Sequence, residues 1–200
     1  MKGEPGLRDR KKRLTRAALC RAAVTLAAER GLDQVTVEDI SAAADVSPRT
    51  FFNYFSSKEE AVVGPDPEAG LRLRDRVVGA PAGVSAVGAV KGALVAEVVE
   101  NLADDRELWM LRMKVVQQHP VLLARAFAGG EDVERRLAEG VAARVGQVPD
   151  EVFPLLLAAA AGAAFRVAIT RWSTVDDPLE SLLGEALDLL AAGLADPPRS

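Results

Sequence analysis

The chain has 200 residues, 49% apolar and 27% charged, with a formal net charge of −4, which is enough apolar material to bury a sizeable core as one large domain or two small ones. No apolar signal-peptide run opens it, and its longest uninterrupted apolar stretch, Leu155 to Phe165, falls short of the roughly 20 residues a membrane span needs, so the expectation is a soluble cytoplasmic protein with no membrane partner. A single cysteine, Cys20, excludes an internal disulfide and fits a reducing compartment.

Charge is unevenly placed. Residues 1–58 hold 11 Lys and Arg against 7 Asp and Glu, net +4, while residues 59–200 hold 14 against 22, net −8. Seven of the cations lie between Met1 and Arg16. A basic head on an acidic body suggests a polyanion met through the head; a solvated tail is the competing reading of the first residues. Residues 1–14 are accordingly expected to be a basic, disordered tail.

Helical periodicity runs through nearly the whole chain, and sustained β alternation is found nowhere. Thr15 to Arg30 is rich in Ala and Leu and meets Gly31, a helix stop. Thr36-Val37-Glu38-Asp39 carries a capping box, so a second helix starts at Val37. It ends before Asp45-Val46-Ser47-Pro48, where Ser47 can cap and Pro48 suits a first turn. The third helix is Pro48 to Phe55, and Ser57-Lys58-Glu59-Glu60 repeats the capping pattern for a fourth.

Two short helices joined by a tight turn and braced by a longer one form a helix-turn-helix unit. Within it, residues 47–60 concentrate four aromatic rings in a chain that is only 4% aromatic. Phe51 and Phe55, four apart, share a face and are expected in the core against Ile40 and Leu26. Arg49, Phe52 and Asn53 then point outward. A ring beside a guanidinium at a helix start suits a base edge, where the ring can touch a thymine methyl and the guanidinium can bridge guanine O6 and N7.

The segment AAVTLAAERGLDQVTVEDISAAADVSPRTFFNYFSSKEE resembles the DNA-binding half of TetR-family transcriptional regulators, with the glycine, the Thr cap, Ile40, the Ala run, Val46-Ser47, Thr50, Tyr54-Phe55 and Ser57-Lys58 in register. The resemblance implies an all-α fold: a helix-turn-helix DNA-binding domain over residues 15–62, then a larger helical bundle for ligand binding and dimerisation over residues 63–200. It also implies that Pro48, Arg49 and Phe52 meet bases while Thr36, Thr50, Tyr54 and Lys58 meet phosphates. Hydroxyls and an ammonium at helix starts suit the second role, which fixes register without carrying sequence information. Asp45 and Arg49 stand where glycine is common, Phe52 where tyrosine is, and Ala27 where a bulky ring often packs. Asp tolerates the left-handed conformation the turn needs.

Beyond residue 64, Gly64-Pro65-Asp66-Pro67 breaks the fourth helix. Further helices are expected over 68–78, 84–102, 106–118, 120–128, 131–145, 151–173 and 179–194. The last opens on Asp177-Pro178 as cap and first-turn proline, and carries a stripe of Leu179, Leu182, Leu183, Ala186, Leu187, Leu190 and Leu194. Such a stripe serves either an intramolecular core or a subunit interface; the resemblance favours a homodimer through the last two helices. Two recognition helices on a twofold axis would read half-sites in successive major grooves of double-stranded DNA.

The resemblance further implies a small-molecule effector of unknown identity, for which Trp109, Met110, Met113, Val116, Gln117, Phe127, Phe153, Phe165, Arg166 and Trp172 are the candidate lining. Residues of these types at helical spacing also serve as plain core. No metal or cofactor motif is expected: His119 lacks partner ligands, and Cys20 reads as a buried thiol rather than a redox sensor. No nucleophile spacing or convergent acid pair supports an enzyme. The leading expectation is a dimeric repressor on a pseudo-palindromic operator, released by a hydrophobic or amphipathic effector; the alternative is a DNA-binding regulator without an effector, controlled by a partner protein or constitutive.

Overall fold

The computed structural model describes residues 7–172 and 174–194, leaving out the side chains of residues 7–9, 103, 104 and 127. Among these residues the regular structure is helical: α1 (Leu7–Arg30), a 3-10 turn (Leu32–Gln34), α2 (Val37–Ala43), α3 (Pro48–Phe52), α4 (Lys58–Val63), α5 (Ala69–Gly79), α6 (Ala86–Gln118), α7 (Pro120–Val145), α8 (Val152–Trp172) and α9 (Leu179–Ala191). The expected all-α class is thus the observed one.

Several boundaries differ from those expected. Helix α1 begins at Leu7, not Thr15, because Arg and Lys are good helix formers, and the Thr15 hydroxyl donates back to the Lys11 carbonyl at 3.1 Å instead of capping. The tail expected over residues 1–14 is therefore helical from Leu7; Met1 to Gly6 lie outside the described residues. The two helices expected on either side of residues 103–105 are, by contrast, found as two: the range of α6 is continuous, but Asp105 leaves helical geometry at φ −167°, ψ 83°. Its carboxylate accepts the Leu108 N–H at 3.0 Å and so caps the second half. Helix α7 runs through Gly129-Gly130, since glycine lowers helix propensity by about 1 kcal/mol but removes no hydrogen bond. At α9, Pro178 is itself the cap residue, and no side chain caps the helix.

Two compact units result. Unit 1 joins Met1–Pro65 to Asp105–Ala128, and unit 2 joins Asp66–Asp104 to Gly129–Ser200. Unit 1 therefore takes in a segment that a boundary after residue 62 assigns to the C-terminal domain. Its core gathers Leu19, Val24, Leu26, Ile40, Phe51, Phe55 and Val62 with Val115, Val116 and Leu122. Phe51 and Phe55 pack in that core with Ile40 and Leu26, as their four-residue spacing requires.

In unit 2, α9 buries Leu179, Leu182, Leu183 and Leu187, on the face that α8 packs against. The stripe expected at a subunit interface is, at these four positions, protomer core. Ala186 and Leu190 are half-buried and Leu194 is exposed. Arg144 pins the α5–α6 connection by donating to the carbonyls of Val77, Ala80, Pro81 and Val84. Glu97, buried, takes Arg72 as partner, and Arg72 also holds Asp66 at 2.7 Å. Within the 21 residues of helix α8 an 18-residue window has a mean hydropathy of 2.0, which by length and composition alone would let it cross a membrane. The uninterrupted run from Leu155 to Phe165 understated this because it stops at Arg166, inside the helix.

Candidate nucleic-acid interface

The interface is built by caps before any long-range contact is needed. Thr36 Oγ1 accepts the Asp39 N–H at 3.1 Å, while Asp39 Oδ2 accepts the Thr36 N–H at 3.0 Å and its hydroxyl at 2.7 Å. These bonds, first the hydroxyl and then the amide of Thr36, hold the Asp39 carboxyl below the ordinary carboxylate range. Helix α2 ends with Asp45 at φ 54°, where the Val46 N–H reaches the Ser41 carbonyl at 2.9 Å and the Asp45 N–H reaches Ala42 at 3.2 Å. That is a Schellman ending with aspartate in the place glycine usually takes. Ser47 Oγ then accepts the Thr50 N–H at 3.1 Å, with Pro48 in the first turn.

Helix α3 is shorter than expected, ending at Phe52. The Asn53 and Tyr54 N–H groups bond three residues back, to Thr50 and Phe51, so the chain tightens out of the α-helix. The rings divide the labour. Phe51 is fully buried and packs against Phe55 with centroids 5.8 Å apart. Phe52, 58% exposed, rests edge-on against Phe51 at 5.4 Å and 86°. Pro48, Arg49, Phe52 and Asn53 all face solvent. The three expected base contacts thus share one exposed patch on one five-residue helix.

The expected phosphate contacts are more varied. Thr36 is exposed, with its hydroxyl in the capping box. Thr50 is half-buried, its hydroxyl 2.9 Å from Ser47 Oγ. Tyr54, also half-buried, offers its carbonyl to Arg16 at 3.1 Å. Lys58 Nζ donates to the carbonyls of Leu32 and Val35, each at 2.8 Å, so two of its three protons are engaged inside the unit. Ser57 caps α4 through the Glu60 N–H at 3.3 Å, but the reciprocal bond is displaced by one residue: Glu60 accepts the N–H of Ser56, not of Ser57, at 2.7 Å. Burial pushes the Glu60 carboxyl up, and the bonds from Ser56 outweigh it, leaving the group below the usual range.

Arg16 is a positioning residue that sequence reasoning counted only among the cations of the basic head. Its guanidinium lies 4.2 Å from the centre of the Phe55 ring and donates to the Tyr54 and Pro65 carbonyls. Behind it, Cys20 is buried, and burial pushes its thiol up, with Arg112 and Arg16 pulling the other way. A low thiolate population suits the structural reading of this residue.

The expected effector lining is divided between the two units. Val116 belongs to the core of unit 1. Trp109 and Met113 are half-buried there, and Met110 and Gln117 are exposed; the Phe127 side chain lies outside the described residues. In unit 2, Trp172 is buried, Phe165 half-buried and Phe153 exposed, and Arg166 lies 3.5 Å from Glu134. Two open grooves of about 620 and 510 Å3 are described in unit 2, one along Lys91 and Asp188, the other along Arg76 and Gly92. Neither is lined by any of the expected pocket residues. No group of three or more metal-ligating side chains occurs among the described residues.

Residues 19–62 match the profile described as bacterial regulatory proteins, tetR family, and residues 84–195 that of the MftR C-terminal domain. The chain is 37% identical over 186 residues to the HTH-type transcriptional regulator TcmR of Streptomyces glaucescens, covering 89% of this chain and 82% of that protein. In fold it is similar to the fatty acid degradation regulator FadR of Bacillus halodurans, with a TM-score of 0.61 at 21% identity over 98% of this chain and 100% of that one. It is also similar to SmeT of Stenotrophomonas maltophilia, solved with triclosan, with a TM-score of 0.60 at 21% identity over 92% and 96% of the two chains.

Proposed function

This chain belongs to the TetR family of bacterial transcriptional regulators, and we propose that it works as a homodimeric repressor whose two α3 helices enter successive major grooves of a pseudo-palindromic operator. The observation that carries the proposal is the single exposed patch of Pro48, Arg49 and Phe52 on a helix anchored from behind by Phe51 and Phe55. In this reading Arg49 reads a base and Phe52 packs against a thymine methyl, while Thr36, Thr50 and Tyr54 set register on phosphates. Lys58 acts first as a brace and offers its remaining proton to the backbone. Acting on the genome places the protein in the cytoplasm.

The test is a selection of binding sites from random duplexes with wild type and Arg49→Ala. The variant should lose discrimination at one position per half-site, by ~1–3 kcal/mol. An unchanged preferred sequence removes Arg49 from base readout.

Pairing of subunits is assigned to α8 and the outer side of α9. Val152, Leu155, Leu156 and Val167 on α8, with Leu189 on α9, are large apolar side chains left exposed in the protomer. Release by a hydrophobic or amphipathic effector completes the proposal, with thermal-shift and operator-release screening as its test. The effector-free alternative is favoured by a specific observation: Val116 and Trp172 are buried as core, and Arg166 is paired with Glu134. An effector that shifts operator affinity would reject that alternative.

A further inference from the structure

The segment Asp105–Ala128 belongs to unit 1, and Val115, Val116 and Leu122 carry it into the core that also holds Cys20, Phe51 and Phe55. Arg112 precedes Val115 and Val116 by three and four residues and so shares their inward face. Its guanidinium is seated beside Cys20 of α1 and the end of α4. Gly64, left-handed at φ 62°, leaves room for it: a methyl there would stand 3.1 Å from Arg112 Cζ and 3.2 Å from Cys20 Sγ.

That seat is poor for a cation. Arg112 Nε is buried and meets no acceptor among the described residues, and burial holds the guanidinium below the ordinary arginine range. A buried charge without a matched partner destabilises, and a hydrophobe of similar volume in its place is often neutral or stabilising. A residue on the docking face of the segment thus works against docking.

The start of the segment is a second weak point. From Ala93 to Gln118 the sequence has neither glycine nor proline, the residues that ordinarily kink a helix, yet α6 is interrupted at Asp105. One carboxylate holds the interruption. It accepts the Leu108 N–H at 3.0 Å and pairs with Arg21 of α1, whose side chain is 61% exposed. Exposed ion pairs contribute little, so the break rests chiefly on a single cap, while Ala103, Arg106, Glu107 and Leu108 around it favour a helix that runs through.

We infer that Asp105–Ala128 is a metastable clasp on the helix-turn-helix unit. Docked, it leaves α6 broken at Asp105 and Arg112 desolvated; released, it lets α6 run through as one helix and returns Arg112 to water. Arg112 biases the clasp toward release and Asp105 toward docking. Because Val115, Val116 and Leu122 complete the core in which Phe51 and Phe55 sit, release loosens the support of α3, and operator affinity falls with it. This last step rests on the DNA-binding reading above.

Cys20, the only cysteine and buried in that core, is the natural probe. The experiment follows its labelling by N-ethylmaleimide in native wild type, Arg112→Met and Asp105→Ala, from no urea to just below the unfolding transition. In wild type the rate should be flat at low urea, as for a local opening, and not rise with the steep slope of global unfolding. Arg112→Met should label roughly tenfold more slowly, because its open state no longer gains a hydrated charge. Asp105→Ala should label about fivefold faster, because the cap is lost. At a selected operator, Arg112→Met should bind at least as tightly as wild type and Asp105→Ala more weakly.

Wild-type labelling with the urea slope of global unfolding overturns the clasp without any variant. So does an Arg112→Met protein that labels as fast as wild type or melts at a lower temperature. Labelling as expected with equal operator affinities overturns the link to α3. Labelling as expected, with no duplex bound by any of the three proteins, overturns the DNA-binding reading and leaves the clasp standing.

Discussion

Helices α3 and α8 both leave large apolar side chains in solvent, and they do so for different partners. In α3 one ring, Phe52, stands among Pro48, Arg49 and Asn53, and the helix is held by two buried rings and a serine cap. In α8 the exposed large side chains are Val152, Leu155, Leu156 and Val167 with one ring, Phe153, a surface that is mainly aliphatic. A mixed surface of cation and ring suits a polyanion with apolar methyls in its groove; an aliphatic one suits another protein surface. Five residues can present the first because local bonds fix them. The second needs a long helix whose other side is already covered.

The sharpest way to break this contrast is to remove what anchors α3. Phe51→Ala should cost ~3–5 kcal/mol in guanidinium unfolding, since it empties a fully buried ring site. A loss below ~1 kcal/mol would mean that α3 is not anchored from behind.

Next comes a pair of substitutions in unit 2. Leu183→Ala, inside the protomer core, should cost ~2–5 kcal/mol of stability. Leu156→Glu, 64% exposed, should leave protomer stability within ~0.5 kcal/mol and yet separate the subunits in sedimentation velocity. If Leu183 proves silent and Leu156 costly to the monomer, the two leucine classes have been interchanged.

A smaller effect tests the caps that make α3 and its neighbour local. Thr36→Ala should cost ~0.5–2 kcal/mol by thermal melting at neutral pH. Because the folded Asp39 carboxyl is depressed, the bonds it accepts contribute fully above its unfolded value of about 3.9 and are lost as pH falls through the folded value. The difference between wild type and variant should therefore shrink on acidification below that point. A difference independent of pH would separate Asp39 from the cap.

The smallest change is a gain. Asp45→Gly should stabilise by a few tenths to ~1 kcal/mol, because glycine occupies φ 54° without the strain a side chain brings there. A destabilised variant would show that the aspartate side chain, not its backbone, secures the turn.

The same contrast explains what was legible in the sequence. Thr36, Ser47, Pro48 and the positive φ at Asp45 were readable because each obeys a rule that spans three or four residues. The split between Phe51 and Phe52 followed from helical spacing alone. Periodicity found the leucine face of α9 but could not say that α8 covers Leu183 and its neighbours within one chain. Lys58 was read as a free ammonium because its acceptors, Leu32 and Val35, lie 26 and 23 residues earlier, where only the folded chain brings them near. Val116 was misplaced for the same reason: its hydrophobicity was plain, and its membership in the helix-turn-helix core was not.

That ammonium also bears on how the unit comes apart. A side chain that closes a loop of this length can bond only when both ends are already seated, so its contribution belongs after the rate-limiting barrier to folding. Stopped-flow measurement of Lys58→Met should then show faster unfolding and a nearly unaltered refolding limb, which would make Lys58 a kinetic latch on the recognition unit.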